Sequence, residues 1–263
     1  IGQLFLAGII PGVLFAIMFM IYIYFKCMRQ SPLAPTDDTV FKFTKIIIDI
    51  LSIWPFLIVV FAIMGSITFG IATPTEAAGV GVIATIILGK LWGSLTFRKL
   101  VEAIFSATLL YASIMFVVIG ATILAQAVSL LGIPQSILET VRETNLGPIA
   151  VLITVILVYL ILGCFFDGLS LMIMTLPILL PLMIGLGYDP IWLGVIVTIM
   201  IEIGQVTPPV GLNLSVLVSV TKEKVSLGET ALATMPYWLI LLFGIGILTL
   251  APEIALFLPS RLM

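Results

Sequence analysis

This sequence predicts an all-α integral membrane protein, a multi-span helical bundle interrupted by one re-entrant hairpin and one discontinuous helix. Three observations carry the prediction. The 263-residue chain is 62% hydrophobic and 9% charged, with a mean hydropathy of +1.34, far outside the range of soluble domains. Its apolar runs are long and unbroken, whereas the strands of a membrane β-barrel would show short alternating segments. Two adjacent prolines, Pro208 and Pro209, fall inside the apolar run from Ile191 to Val220, where a membrane helix would otherwise be continuous.

Composition also narrows the function classes. The net charge of -2 is spread over loops and a few intramembrane positions, and there is no basic patch for nucleic acid. The chain has no histidine, which excludes histidine-ligated haem or zinc and any histidine proton relay. Cys27 and Cys164 lack metal-site spacing and read as packing residues. No nucleotide-binding loop, nucleophile with a paired base or metal-ligand cluster appears, so the reading is not an enzyme and no cofactor is expected. The start at Ile1-Gly2-Gln3 has no initiator methionine, basic n-region or cleavage site. It reads as a fragment rather than a signal peptide.

A bilayer core of about 30 Å at 1.5 Å per residue needs roughly 20 apolar residues per helical span. Segment one, Gly2 to Phe25, meets this and ends at Lys26 and Arg29. From Gln30 to Ser52 the chain is polar and proline-bearing, then amphipathic through Phe41 to Ile48, which suits an interfacial helix. Segment two covers Ile53 to Ile71, and segment three, Pro74 to Trp92, follows after the short Ala72-Thr73 connection. Segment four, Ala103 to Leu131, is long enough to require tilt or a bend at Gly120. A second amphipathic connection occupies Ile133 to Pro148.

Ile149 to Gly163 is short for a full crossing, and Cys164-Phe165-Phe166-Asp167-Gly168 separates it from Leu169 to Leu186. Two such arms around a polar, glycine-containing tip suit a re-entrant hairpin. The broken element from Ile191 to Val220, a polar turn at Thr221 to Lys224 and a final span from Trp238 to Leu258 complete the chain. Residues 1–148 thus hold spanning helices and connections, 149–220 the hairpin and broken helix, and 221–263 a C-terminal span. Lysine and arginine orient the bundle: Lys26, Arg29, Lys42 and Lys45, then Lys90, Arg98 and Lys99, then Lys222 and Lys224 mark three cytoplasmic connections. A hairpin over 149–184 preserves the parity that this count requires; a full double crossing would too, but its Phe166-Asp167 turn would then be a cytoplasmic connection without positive charge.

The chemistry concentrates at Gly204-Gln205-Val206-Thr207-Pro208-Pro209-Val210-Gly211-Leu212-Asn213. The prolines remove two backbone donors and clash with the preceding turn, while Gly204 and Gly211 add backbone freedom. Carbonyls and amides released at that depth cannot face lipid, so they are buried in protein or line a cavity. With the Thr207 hydroxyl and the Asn213 amide oxygen they form a set of hard oxygen ligands suited to Na⁺, and Gly163 and Asp167 at the hairpin tip are the candidates to face them. Three carboxylates sit in apolar surroundings: Glu76, Asp167 and Glu202. Thr73, Pro74 and Glu76 also have the spacing of a capping box, Asp167 could equally cap the second hairpin arm, and Glu202 could serve a site or a neighbouring segment. The proline pair could likewise be a packing kink alone.

At Thr73-Pro74-Thr75-Glu76-Ala77 and at Gly204 through Asn213, the sequence resembles the large membrane subunit of tripartite ATP-independent periplasmic (TRAP) transporters. Further similarity lies at Leu4 through Gly12, at Gly163 through Asp167-Gly168, and at Pro177-Ile178-Leu179-Leu180-Pro181. The resemblance implies the C-terminal part of an elevator-type permease in the bacterial inner membrane. It implies Na⁺-coupled uptake of an organic acid such as a C4-dicarboxylate or sialic acid. A periplasmic binding protein would deliver the substrate and a small membrane subunit would support the large one. Residues 149–184 would be a re-entrant hairpin and 191–220 a discontinuous helix, with Na⁺ near Asp167 and Thr207. The alternatives are a structural membrane subunit of a larger complex and an unrelated ion or organic-anion antiporter.

Overall fold

The computed structural model describes residues 1–29, 53–144, 146–209, 211–220 and 225–262, and all regular structure among them is helical. The expected interfacial helix at Phe41 to Ile48 and the turn at Thr221 to Lys224 lie outside the described residues. Among the described residues, five helices are long and apolar enough to cross a membrane. The chain divides into two compact units, residues 1–2 with 26–111 and residues 3–25 with 112–263.

In the first unit, α2 (Trp54–Thr68) and α3 (Pro74–Leu91) form a helical hairpin. Its open end is marked by an edge-to-face pair of Trp54 and Trp92, with ring centroids 4.7 Å apart. Gly81 lets the two helices close up, since a Cβ there would lie 2.5 Å from Ile63 Cδ1. The turn needs Gly70, whose φ of 67° is left-handed. Helix α4 (Phe97–Leu130) begins earlier than the expected Ala103. The polar residues assigned to the connection form its first turns instead: Arg98 Nε pairs with Glu102 Oε1 at 2.9 Å one turn on, and the Lys99 amide donates to Thr96 Oγ1 at 3.3 Å.

The second unit is built around α8 (Pro190–Gln205), preceded by α5 (Ile133–Glu143), α6 (Pro148–Gly163) and α7 (Gly168–Gly185). Asp189 starts α8 by accepting from the amides of Ile191 and Trp192, and Pro190 occupies the first position, where no donor is needed. Trp192, Leu193, Ile196, Met200 and Ile203 are almost wholly buried. The open face of the helix is a narrow stripe containing Thr198 and Glu202. Around α8 pack α6, α7, α9 (Leu212–Val220), α10 (Leu227–Leu250) and α11 (Glu253–Leu262). The Trp192 indole donates to the Leu248 carbonyl at 2.8 Å, fixing α8 to α10. From α1 (Gly2–Arg29), Leu4 fills the space beside Gly194 and Phe15 the space beside Gly244.

The final span differs from expectation. It starts at Leu227, not Trp238, and ends at Leu250, with α11 following after Ala251-Pro252. Ser226 and Glu229 form a reciprocal capping box that holds the first turn in spite of its polarity. At the other end Pro252 disfavours helical backbone at Ala251, whose φ and ψ are -132° and 71°.

Candidate functional site

Helices α6 and α7 run back along one another near their tip, where the Tyr159 and Thr175 hydroxyls are hydrogen-bonded. Both arms pack on α8 more extensively than on each other. Asp167 terminates the tip as the N-cap of α7, its Oδ1 accepting from the Ser170 amide at 3.0 Å. The other component is the interruption between α8 and α9. Helix α8 ends in a tightened turn, with the Val206 amide donating to Ile203 O at 3.2 Å and the Thr207 amide to Gly204 O at 3.1 Å. The Pro208–Pro209 peptide is cis. Helix α9 begins with the Ser215 amide donating to Gly211 O at 3.0 Å.

These two components meet main chain to main chain. A Cβ on Gly163 would lie 2.7 Å from Gly204 Cα, and one on Gly204 would lie 2.6 Å from Gly163 Cα. No larger residue fits at either position without separating the tip from α8. Gly168 is similarly confined, because a Cβ there would lie 2.5 Å from Ile201 Cγ2 and would strike the Gln205 carboxamide. The Cys164 thiol, 6% exposed, lies 3.0 Å from Leu160 O and 3.1 Å from Pro208 O, where it can donate to a carbonyl of the interruption.

Thr207 donates its hydroxyl proton to Ile203 O at 2.5 Å. Its oxygen lone pairs are therefore left as acceptors. Gly211 has a φ of 47°, and a Cβ there would approach Leu214 Cδ1 at 2.9 Å and Thr207 O at 3.2 Å. Across the interruption, Asn213 Nδ2 donates to Gln205 Oε1 at 3.0 Å. Among the described residues no three His, Cys, Asp or Glu side chains gather as a metal cluster. The oxygens offered here are hydroxyl, carboxamide and main-chain carbonyl, donors of the type that suits a hard cation.

The structure thus brings Gly163, Gly204, Thr207, Pro208, Pro209, Gly211 and Asn213 into one neighbourhood at the tip of the hairpin. Asp167 belongs to that tip, but its carboxylate caps α7, and among the described residues no hydrogen bond joins it to the interruption. Glu202 lies one turn before the interruption, on the open stripe of α8. In the other unit, Glu76 Oε2 accepts from the Thr73 amide at 2.8 Å and hydroxyl at 2.7 Å, while the Glu76 amide donates to Thr73 Oγ1 at 3.4 Å. That geometry is a capping box at the start of α3. Gln205 and Cys164 were not legible as site residues: both act across gaps in helical phase that sequence spacing does not bridge.

The family model of the tripartite ATP-independent periplasmic transporter DctM component matches residues 1–254. This chain belongs to the DctM family. The family consists of membrane transport components, not enzymes, and its membership places the chain in the inner membrane. Among its relatives, the C4-dicarboxylate TRAP transporter large permease protein DctM of Pseudomonas aeruginosa is 33% identical, covering 100% of this chain and 60% of the relative. The ectoine TRAP transporter large permease protein TeaC of Halomonas elongata is 31% identical over 98% of the chain and 60% of its own length. The sialic acid TRAP transporter large permease protein SiaM of Vibrio cholerae is 29% identical, with 99% and 60% coverage. The chain therefore spans about 60% of the length of these DctM-family relatives.

Proposed function

We propose that this chain is part of a Na⁺-coupled TRAP permease that takes up an organic acid, with residues 149–220 belonging to its moving transport domain. The observation that carries the reading is the docking of the hairpin tip on the interrupted helix through Gly163 and Gly204. A kink used for packing alone has no need of a second element brought to within main-chain contact of the end of the interrupted helix. Hairpin tips and discontinuous helices enclose ion and substrate sites in many secondary transporters.

In this mechanism Na⁺ binds between the tip near Asp167 and the segment from Gly204 to Asn213, using the Thr207 hydroxyl and main-chain oxygens. Its charge orders the tip against the interruption and attracts the acid into the same cavity. At an effective dielectric of 20, a carboxylate about 4 Å from the ion gains roughly 4 kcal/mol. Cation and acid then cross together, in an elevator-type movement of the transport domain. C4-dicarboxylate and sialic acid appear in the names of relatives, and both are carboxylates. A periplasmic binding protein supplies the substrate, and a small membrane subunit supports the permease.

The test is uptake by the complete three-component system over a range of Na⁺ concentrations, with Thr207→Val and Asp167→Asn. Thr207→Val is expected to raise the half-saturating Na⁺ concentration by removing a ligand, and Asp167→Asn to raise it less by weakening the local field. Unchanged Na⁺ dependence in both would overturn the site.

A further inference from the structure

We propose that Gln205 is a positioning residue that holds the interrupted helix at its working width and couples that width to the hairpin tip. The inference rests on the reading of the site given under Proposed function, and it concerns a side chain distinct from the Gly163–Gly204 contact and from the Thr207 hydroxyl.

Among the described residues no main-chain hydrogen bond joins α8 to α9. The bonds near the gap close within one half or the other: Val206 to Ile203 and Thr207 to Gly204 on one side, Ser215 to Gly211 on the other. Pro208 and Pro209 have no amide proton to contribute. The Asn213 Nδ2 to Gln205 Oε1 bond of 3.0 Å spans the gap from the end of α8 to the first turn of α9.

The same carboxamide reaches a third element. Its nitrogen occupies the space where a Cβ of Gly168 would stand, at the first residue of α7. One half-buried side chain thus touches both halves of the broken helix and the second arm of the hairpin, immediately after the Gly204 that touches the first arm. A glutamine suits this position chemically. It both accepts and donates, so it can bridge, and it adds no charge beside a site for a cation. The bond is exposed at Asn213 and half-buried at Gln205, so its loss is worth the modest amount of one neutral hydrogen bond.

The experiment compares Gln205→Leu, Asn213→Leu, the double variant and the exchange Gln205→Asn with Asn213→Gln, all in the complete transporter. Leucine keeps the bulk over Gly168 and removes the bridge; the exchange moves one methylene across the gap and keeps its span. Two quantities are read: the half-saturating Na⁺ concentration for uptake, and the rate of Cys164 alkylation by a small maleimide, followed by peptide mass spectrometry with and without Na⁺. Each single leucine variant is expected to raise both by about two- to tenfold, the range of one neutral hydrogen bond. The double variant is expected to do no more than either single, and the exchange to restore most of the loss. Wild-type alkylation rates in the single variants, additive losses in the double, or no recovery in the exchange would each overturn the proposal. Uptake by the wild type that does not depend on Na⁺ would overturn the cation site instead, and alkylation without Na⁺ would then still decide the role of Gln205.

Discussion

Replacing Gly204 by alanine tests the contact on which the functional reading depends. The added methyl would lie 2.6 Å from Gly163 Cα, 3.0 Å from Gly163 C and 3.4 Å from Gly163 O. Carbon atoms are comfortable at about 3.5 to 4.0 Å, so the tip must withdraw by about 1 Å. Neither neighbour is a side chain that could rotate away. A withdrawal of that size takes the Cys164 sulfur, now 3.1 Å from Pro208 O, beyond hydrogen-bonding range. Overpacking of this kind costs about 1 to 3 kcal/mol, which shifts the balance between docked and undocked tip by about 5- to 150-fold. The assay is the rate of Cys164 alkylation in the assembled transporter, together with the Na⁺ dependence of uptake. Faster alkylation and a higher Na⁺ requirement are expected, and Gly163→Ala should behave alike because it breaks the same contact. A Gly204→Ala protein with wild-type alkylation and wild-type Na⁺ response would refute the argument.

Two further predictions concern residues outside that contact. Thr73→Ala should lower the thermal stability of the purified transporter by about 1 kcal/mol through loss of the cap on α3, leaving the half-saturating Na⁺ concentration unchanged; a large shift in that concentration would give the Thr73–Glu76 pair a part in ion binding. Trp192→Phe leaves the Leu248 carbonyl without its buried donor and should cost about 1 to 3 kcal/mol, read as a lower midpoint of thermal unfolding; an unchanged midpoint would show that the α8–α10 attachment does not depend on this bond.

Much of this arrangement could be read from the chain because local rules govern it. Two prolines in an apolar run force an interruption, and the structure places it between Gln205 and Leu212. Gly147 and Pro148 start one hairpin arm and Asp167 caps the other. Hydropathy misplaced the beginnings of α4 and α10 because it counts polar residues against a helix. Arg98 with Glu102, and Ser226 with Glu229, spend their polarity on holding the first turns together. Cys164 reads as a packing residue and is buried as expected, but its contact with Pro208 and the contacts of Gln205 were not legible. Cys164 meets Pro208 44 residues further on and Gln205 meets Gly168 on another helix, so helical periodicity does not say which residues face one another.

The meeting of Gly163 and Gly204 also bears on how the hairpin can move. A joint made with side chains can loosen by degrees, one rotamer after another. Two bare main chains have no such play, so the tip can leave its seat only by a displacement of the arm itself, with Cys164 leaving the Pro208 carbonyl in the same stroke. Such a joint works as a catch, engaged or released, rather than as a hinge with a range of settings.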